Sequence, residues 1–277
     1  MKCQWQEYLN LLPHWMRSDV DKQGSFALQE LRMRTGQVPQ LHYQNRTQTL
    51  VRTVTKEDLL FVINTATKYS PWTADTVEEG FITAQGGHRI GICGQAVVRH
   101  GNMSGISVPT SVCIRVARDF MNIAPSVSAS TLIIGPPGSG KTTLLRDLVR
   151  KISNTEQGCV SVVDERQEIF PFFQGQACFE YGRNTDIISG CKKSDGINGV
   201  LRSMNPHWIA VDEITAQSDT DALLHAGWCG VNLIATAHAG SVSDLKTRPI
   251  YRPLVESKLF QNVLVLRRDK SWTMERM

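Results

Sequence analysis

The sequence has no apolar run approaching the roughly 20 residues that a membrane-spanning helix requires. It also has no C-x-x-C pair, no internal repeat and no low-complexity tract. The seven cysteines, at positions 3, 93, 113, 159, 178, 191 and 229, are odd in number and widely spaced. That usage argues against a disulfide framework or a zinc ribbon and for a reducing, cytosolic setting. Charge of one sign is scarce too: 30 Lys and Arg against 26 Asp and Glu leave a formal net charge of +4, too diffuse to argue for nucleic acid by itself. Nor is there the stripe of interleaved aromatic and basic residues, or the added basic domain, on which single-strand binding leans. What is present is ample core: 41% of the 277 residues are hydrophobic, enough for two modest domains or one large one.

The first segment, "MKCQWQEYLNLLPHWMRSDV", places Trp5, Tyr8, Leu9, Leu12, Trp15 and Met16 at near-helical spacing. It lacks the continuous apolar core and small-residue cleavage site of a signal peptide, so the expectation is a helix docked on its own protein rather than a surface membrane anchor. Pro13 ends or bends that helix. Up to about residue 120 the sequence alternates strand-like and turn-like pieces, "VPQLHYQ", "QTLVRTV" and "EEGFITAQGGHRIGICGQAVV". In the last of these, Phe81, Ile82, Ile90 and Ile92 flank "AQGGH", a hairpin with a Gly-Gly turn. One helix is expected over "TKEDLLFVINTATKYS", with Thr55 as N-cap and Asp58 three residues on as a weak capping box.

The polar, Pro/Ser-bearing stretch "NIAPSVSAS", 122–130, reads as a linker. The expected domains are therefore a small mixed α/β domain over 1–121, without a catalytic motif of its own, and a second domain over 131–277. In the second, short apolar strands at "TLIIG", "CVSVVD", "WIAVDE", "VNLIATA" and "NVLVLRR" alternate with helices after the first strand, near 196–204 and at "SDTDALLHAGW". That alternation predicts α/β architecture, a parallel sheet covered on both faces.

"TLIIGPPGSGKTTLLRDLVRK" matches G-x-x-x-x-G-K-(S/T) completely, with a strand expected before it and a helix after it. The predicted nucleotide-binding residues are Gly135, Pro136, Pro137, Gly138, Ser139, Gly140, Lys141, Thr142 and Thr143. Glycines let the backbone turn so that successive N–H groups converge on phosphate oxygens at the helix N-terminus. Lys141 reaches the β and γ phosphates, the Thr142 hydroxyl ligates Mg²⁺, and Thr143 lies near the α phosphate. ATP and Mg²⁺ are the expected ligands.

Hydrolysis needs more than a cradle, and two strand ends offer carboxylates, "VVDER" and "WIAVDE". Asp164 lies 23 residues after Lys141 and Asp212 lies 71 after it. The first interval leaves room for one helix and the next strand only, whereas the second leaves room for the further elements that precede a metal-holding strand. Asp212 is therefore expected to hold Mg²⁺, and Glu213, next along and pointing differently, to orient and deprotonate the attacking water. In "IATAHAG", Thr236 and His238 end a strand where open α/β sheets place their ligand crevice, so His238 is positioned to sense the γ phosphate.

"GPPGSGKTT", "VVDERQEI", "LRSMNPHWIAVDEI" and "LIATAHAG" follow one another as in the secretion-type ATPases of type II, type IV and pilus machines. More narrowly, "ELRMRTGQ", "ISVPTSVCIRVAR", "GCKKSDGINGVLRSMNPHWIAVDEI" and "TAHAGSVSDLKTRP" resemble the stage III sporulation protein AA family of endospore-forming bacteria, over nearly the whole length. The resemblance implies a P-loop, RecA-like ATPase with a small mixed α/β N-terminal domain for partner docking or subunit contact. It implies a homo-hexamer, cytoplasmic and peripheral at the mother-cell face of membrane-embedded, secretion-like channel proteins. Under it, Asp164 and Glu165 become an acidic box, with Glu165 a second candidate for positioning water, and His238 becomes the histidine box. Secretion ATPases usually carry Gly where Asp212 stands, so the full Asp-Glu pair departs from them. Ring ATPases complete their sites with an arginine from a neighbouring subunit or domain; Arg202, Arg183, Arg89 and Arg115 are candidates. The leading expectation is an ATP-hydrolysing motor, against a nucleic-acid-dependent ATPase or a nucleotide-binding scaffold of weak turnover.

Overall fold

The computed structural model describes residues 1–68, 80–155 and 158–277, and the chain divides into two units. The first comprises 1–119 with 171–179, the second 120–170 with 180–277. Two segments fall differently from the sequence expectation. Residues 122–130 belong to the second unit, because the buried Asp147 carboxylate accepts the N–H groups of Asn122 (3.0 Å), Ile123 (2.7 Å) and Ala124 (2.8 Å). Residues 171–179 return to the first unit, a detour that no composition shift in the sequence marks.

In the first unit, α1 (Trp5–Asn10) and α2 (His14–Asp21) replace the single expected helix, with Pro13 at the N-cap of α2. With the link between them they bury Tyr8, Leu9, Leu12, Met16 and Val20 in the unit's own core, each side chain contributing about 1.5–3 kcal/mol. Strands β1 (Glu30–Arg34), β2 (Gln40–His42) and β3 (Thr47–Thr49) precede α3 (Lys56–Thr67). The Thr55/Asp58 capping box is closed in both directions (2.9 and 3.2 Å). Tyr69 and Ser70 of the expected helix, and Glu78 and Glu79 before the expected hairpin, lie outside the described residues.

That hairpin is β4 (Phe81–Thr83) paired with β5 (Arg89–Arg99), followed by β6 (Asn102–Arg115). Gly86 and Gly87 both take left-handed φ, +82° and +79°, which the tight turn demands. The antiparallel sheet runs β3-β2-β1-β6-β5-β4. Its His88 is fully buried: Nδ1 accepts the N–H of Ala117 (3.0 Å) and Nε2 faces the Gln4 carbonyl (3.0 Å). Burial pulls its pKa down to about 4, so the ring is a neutral structural brace.

In the second unit, β7 (Thr131–Ile134), α4 (Lys141–Ser153) and β8 (Val160–Asp164) come first. The two-residue strands β9 (Phe172–Phe173) and β10 (Gln176–Ala177) form the detour. The chain then continues through β11 (Thr185–Ser189), α5 (Lys193–Ser203), β12 (Trp208–Val211), α6 (Gln217–Trp228) and β13 (Asn232–Ala237). It ends in α7 (Val242–Thr247), α8 (Arg252–Glu256), β14 (Asn262–Leu266) and β15 (Trp272–Arg276). The sheet order is β11-β8-β12-β13-β7-β14-β15, parallel except for β15. Strands β7, β8 and β12 are buried along their whole length, as a sheet covered on both faces requires. All five strands predicted here exist; β11 and the antiparallel β15 are additions. Among the described residues no helix is long and apolar enough to cross a membrane.

Candidate active site

Parallel pairing aligns the C-terminal ends of β7, β13, β12 and β8 along one edge of the sheet, where an open α/β sheet places its crevice. From β7 the chain enters the Gly135–Thr142 loop. A Cβ on Gly135 would lie 2.8 Å from the Leu266 carbonyl oxygen, and Gly138 and Gly140 take φ of +72° and +99°, values that disfavour any side chain. The N-cap of α4 is Gly140, so no side chain caps the helix, leaving its first N–H groups directed at the loop's concavity. The Ser139 hydroxyl is buried there with no hydrogen-bond partner. A glycine-lined concavity with uncapped donors and an orphaned hydroxyl fits a phosphate chain.

Lys141 is buried in this loop and donates to the carbonyls of Gly135 (3.0 Å) and Pro136 (3.1 Å) and to Nδ1 of His238 (3.0 Å). Burial lowers its pKa, while the charges of Asp212 and Glu213 oppose that shift. Because an ammonium only donates, Nδ1 of His238 must accept and Nε2 carries the ring proton. Nε2 lies 2.7 Å from Oε1 of Glu213. Lys141, His238 and Glu213 thus form one continuous chain of contacts.

Asp212, just past β12, is fixed from three sides. Its Oδ2 accepts the Thr142 hydroxyl (2.8 Å), and its Oδ1 accepts the Glu213 N–H (3.0 Å) and the Thr236 hydroxyl. The Glu213 N–H also reaches the Thr236 oxygen (2.7 Å). These contacts hold Glu213 at φ +42°, a left-handed conformation that costs a non-glycine residue on the order of 1 kcal/mol. The turn swings its carboxylate toward His238 instead of along the strand. One hydroxyl and one carboxylate beside a phosphate cradle form the sparse donor set that Mg²⁺ takes when substrate phosphates complete its shell.

The second acidic pair sits on the same rim, and Glu165, Arg166, Lys193, Asp212 and Glu213 line one cleft. Its partners are different. Asp164 is buried and its carboxylate accepts the N–H groups of Glu168 (2.8 Å), Ile169 (2.9 Å) and Phe170 (2.9 Å). Burial raises its pKa against those three bonds. Glu165 pairs with the buried Lys193. Sequence reasoning missed Lys193 and Arg166, whose guanidinium is 3.9 Å from Glu213. A signal existed for Lys193: a cation at the first position of a helix opposes the macrodipole, so it needs a carboxylate nearby.

Arg202 is not brought into this cluster. It is exposed in the last turn of α5, which precedes the start of β12, and so lies at the opposite edge of the sheet. Arg183, just before β11, occupies that same far edge and donates to the Asn154 carbonyl (3.0 Å). Arg89 and Arg115 belong to the first unit.

Comparison with known proteins bears on the family and the fold. The family described as "Sporulation stage III, protein AA" matches residues 4–274. The stage III sporulation protein AA of Bacillus subtilis (strain 168) is 35% identical over 280 residues, covering 95% of this chain and 91% of that one. The chain belongs to the sporulation stage III protein AA family. The uncharacterised protein ycf45 of Cyanidium caldarium is 26% identical, covering 98% of this chain and 80% of its own, so the protein AA pattern also has a relative of that description. Among solved structures, the Legionella pneumophila ATPase DotB superposes with a TM-score of 0.55 at 16% identity, over 96% of this chain and 80% of that chain. The pilus retraction motor PilT, solved with ADP, gives 0.61 at 13% identity, over 90% and 76%. At such identities the likeness is one of fold: this protein AA family member has the mixed α/β, parallel-sheet architecture of secretion and pilus ATPases, with a small N-terminal unit.

Proposed function

We propose that this protein hydrolyses ATP at the Gly135–Thr143 loop, as the motor of a ring that energises a secretion-like channel assembly between mother cell and forespore. The observation that carries the reading is the Thr142–Asp212 contact of 2.8 Å, which joins the end of the glycine-rich loop to a strand two positions away in the sheet, with Glu213 turned aside from it. Family membership supports the sporulation setting, and the fold shared with DotB and PilT supports the motor.

The chain's own residues divide the work. Lys141 exchanges two carbonyls and His238 for β and γ phosphate oxygens, to which a cation binds more strongly. When bound, Mg²⁺ supplies positive charge against those oxygens; Thr142 and Asp212 are the residues that would hold it. Glu213 orients the attacking water and takes its proton. Departure of Lys141 frees Nδ1 of His238, so the imidazole couples the state of the phosphate cradle to the Glu213 carboxylate. Glu165, engaged by Lys193, is the second candidate for positioning water. Arg202 lies far from the loop of its own chain, so it acts only on a neighbouring copy, which ties an arginine finger to the homo-hexamer. The protein works on the cytoplasmic, mother-cell side, docked to membrane-embedded channel proteins.

ATP turnover and native mass, measured for the wild type beside Lys141→Ala, test this. A ring-sized wild type with turnover that the variant lowers about 10²–10³-fold is expected, the range seen for removal of one preorganised charge-stabilising group. Wild-type turnover no higher than the variant's would leave a nucleotide-binding scaffold, and several-fold stimulation by single-stranded DNA would favour a nucleic-acid-dependent ATPase.

A further inference from the structure

The turn joining β14 to β15 begins where the glycine-rich loop begins, because β14 pairs in parallel with β7 up to Val265 beside Ile134. The residue before it, Leu266 at the end of β14, packs its carbonyl against Gly135 so closely that a Cβ there would collide. The turn holds itself in shape. The Arg267 N–H donates to the Ser271 carbonyl (2.9 Å) and the Lys270 N–H to the Arg267 carbonyl (3.1 Å), with Lys270 at φ +71°. Its one carboxylate, Asp269, accepts from both the N–H (3.0 Å) and the hydroxyl (2.7 Å) of Ser271. Arg267, Arg268 and Lys270 are all exposed. Lys270 reaches back to the loop: Nζ donates to the Gly138 carbonyl, and Cδ lies 3.9 Å from where a Cβ on Gly140 would stand.

A flexible, well-hydrated lysine gains little from one exposed neutral carbonyl. A phosphate oxygen carries formal charge and makes a hydrogen bond roughly twice as strong. We propose that the β14–β15 turn is a second cationic arm of the nucleotide site, in which Lys270 leaves the Gly138 carbonyl and pairs with the outer phosphates of a nucleoside triphosphate. Arg267 and Arg268 add a screened, long-range attraction at the same rim. Lys141 binds the phosphates from within the loop and Lys270 closes on them from outside, so the arm favours triphosphate over diphosphate. This rests on the ATP reading above.

Equilibrium binding of ATPγS and of ADP to the full chain, at low and at high salt, tests the assignment with Lys270→Ala, Lys270→Arg and Lys141→Ala. Lys270→Ala should weaken ATPγS about fivefold at low salt and ADP less than twofold, with the difference shrinking at high salt, and Lys270→Arg should stay within about twofold of wild type. Unchanged affinity for both nucleotides in Lys270→Ala, alongside lost binding in Lys141→Ala, overturns the arm and leaves the ATP reading standing. Equal weakening of ATPγS and ADP also overturns it, because the lysine would then act on the shape of the loop. Wild-type affinity in Lys141→Ala sinks the ATP reading itself, and the arm with it.

Discussion

The ends of β8 and β12 carry the same two residues, Asp-Glu, on neighbouring parallel strands, yet they are opposites in chemistry. After β8, Asp164 is consumed by three backbone N–H groups that close the 164–170 loop, and Glu165 by a buried lysine. After β12, Asp212 accepts two hydroxyls, one of them from the glycine-rich loop, and among the described residues the Glu213 carboxylate pairs with His238 and Arg166, partners that can move away. An acidic pair at a strand end marks the rim of the crevice, and the donors around each oxygen decide whether it braces the fold or remains available for chemistry.

The strongest way to break this contrast is Asp212→Ala. It would strand two hydroxyls and remove a metal-holding carboxylate, and ATP turnover should fall about 10²–10³-fold, the several kcal/mol expected of lost charge stabilisation at a transition state. Steady-state phosphate release checks it; a fall of less than tenfold would put Asp212 with the braces. The same logic separates two histidines, His238 in the cluster and the buried His88 in the first unit. In the unfolded chain His88 titrates near 6.5, and in the fold only near about 4. The unfolded state therefore takes up a proton first as pH drops. The stability that the neutral ring supports is complete above about pH 6.5 and declines towards pH 4, by about 3 kcal/mol in all. Denaturant midpoints across that window should show the slope, and His88→Gln should flatten it. Asp164→Asn, smaller in effect, would turn an NH₂ toward backbone donors; unfolding free energy should drop by on the order of 1–2 kcal/mol. If its phosphate release per folded molecule fell as far as that of Asp212→Ala, Asp164 would belong to the chemistry.

Much of the second unit was legible because buried parallel strands are short unbroken apolar runs, and the glycine-rich loop announces its strand and helix. The spacing from Lys141 pointed to Asp212 over Asp164, and in the structure Asp212 is the one that meets Thr142 (2.8 Å), with β13 between β7 and β12 in the sheet. The far position of Arg202 is legible too: it leads into the strand "WIAVDE", and the helix end that feeds a parallel strand lies at the edge opposite the one where the strands end. Lys270 was missed because it acts through a contact long in sequence, with Gly138; Lys193 carried a local signal at its helix start, but its carboxylate partner, Glu165, is also far along the chain. The 171–179 detour has no periodicity of its own, its strands being two residues each. Strand β15 is half polar, "WTMER", and reads as a tail until β14 supplies an edge for it.

Single-turnover phosphate release, with Glu213→Gln and Glu165→Gln run beside the wild type in one assay, addresses the central assignment directly. Glu213→Gln should bind ATP and release phosphate about 10²–10³-fold more slowly, within the range of a lost general base, while Glu165→Gln stays within about threefold of wild type. Normal release from Glu213→Gln, with loss in Glu165→Gln, would contradict the account and move the chemistry to the end of β8.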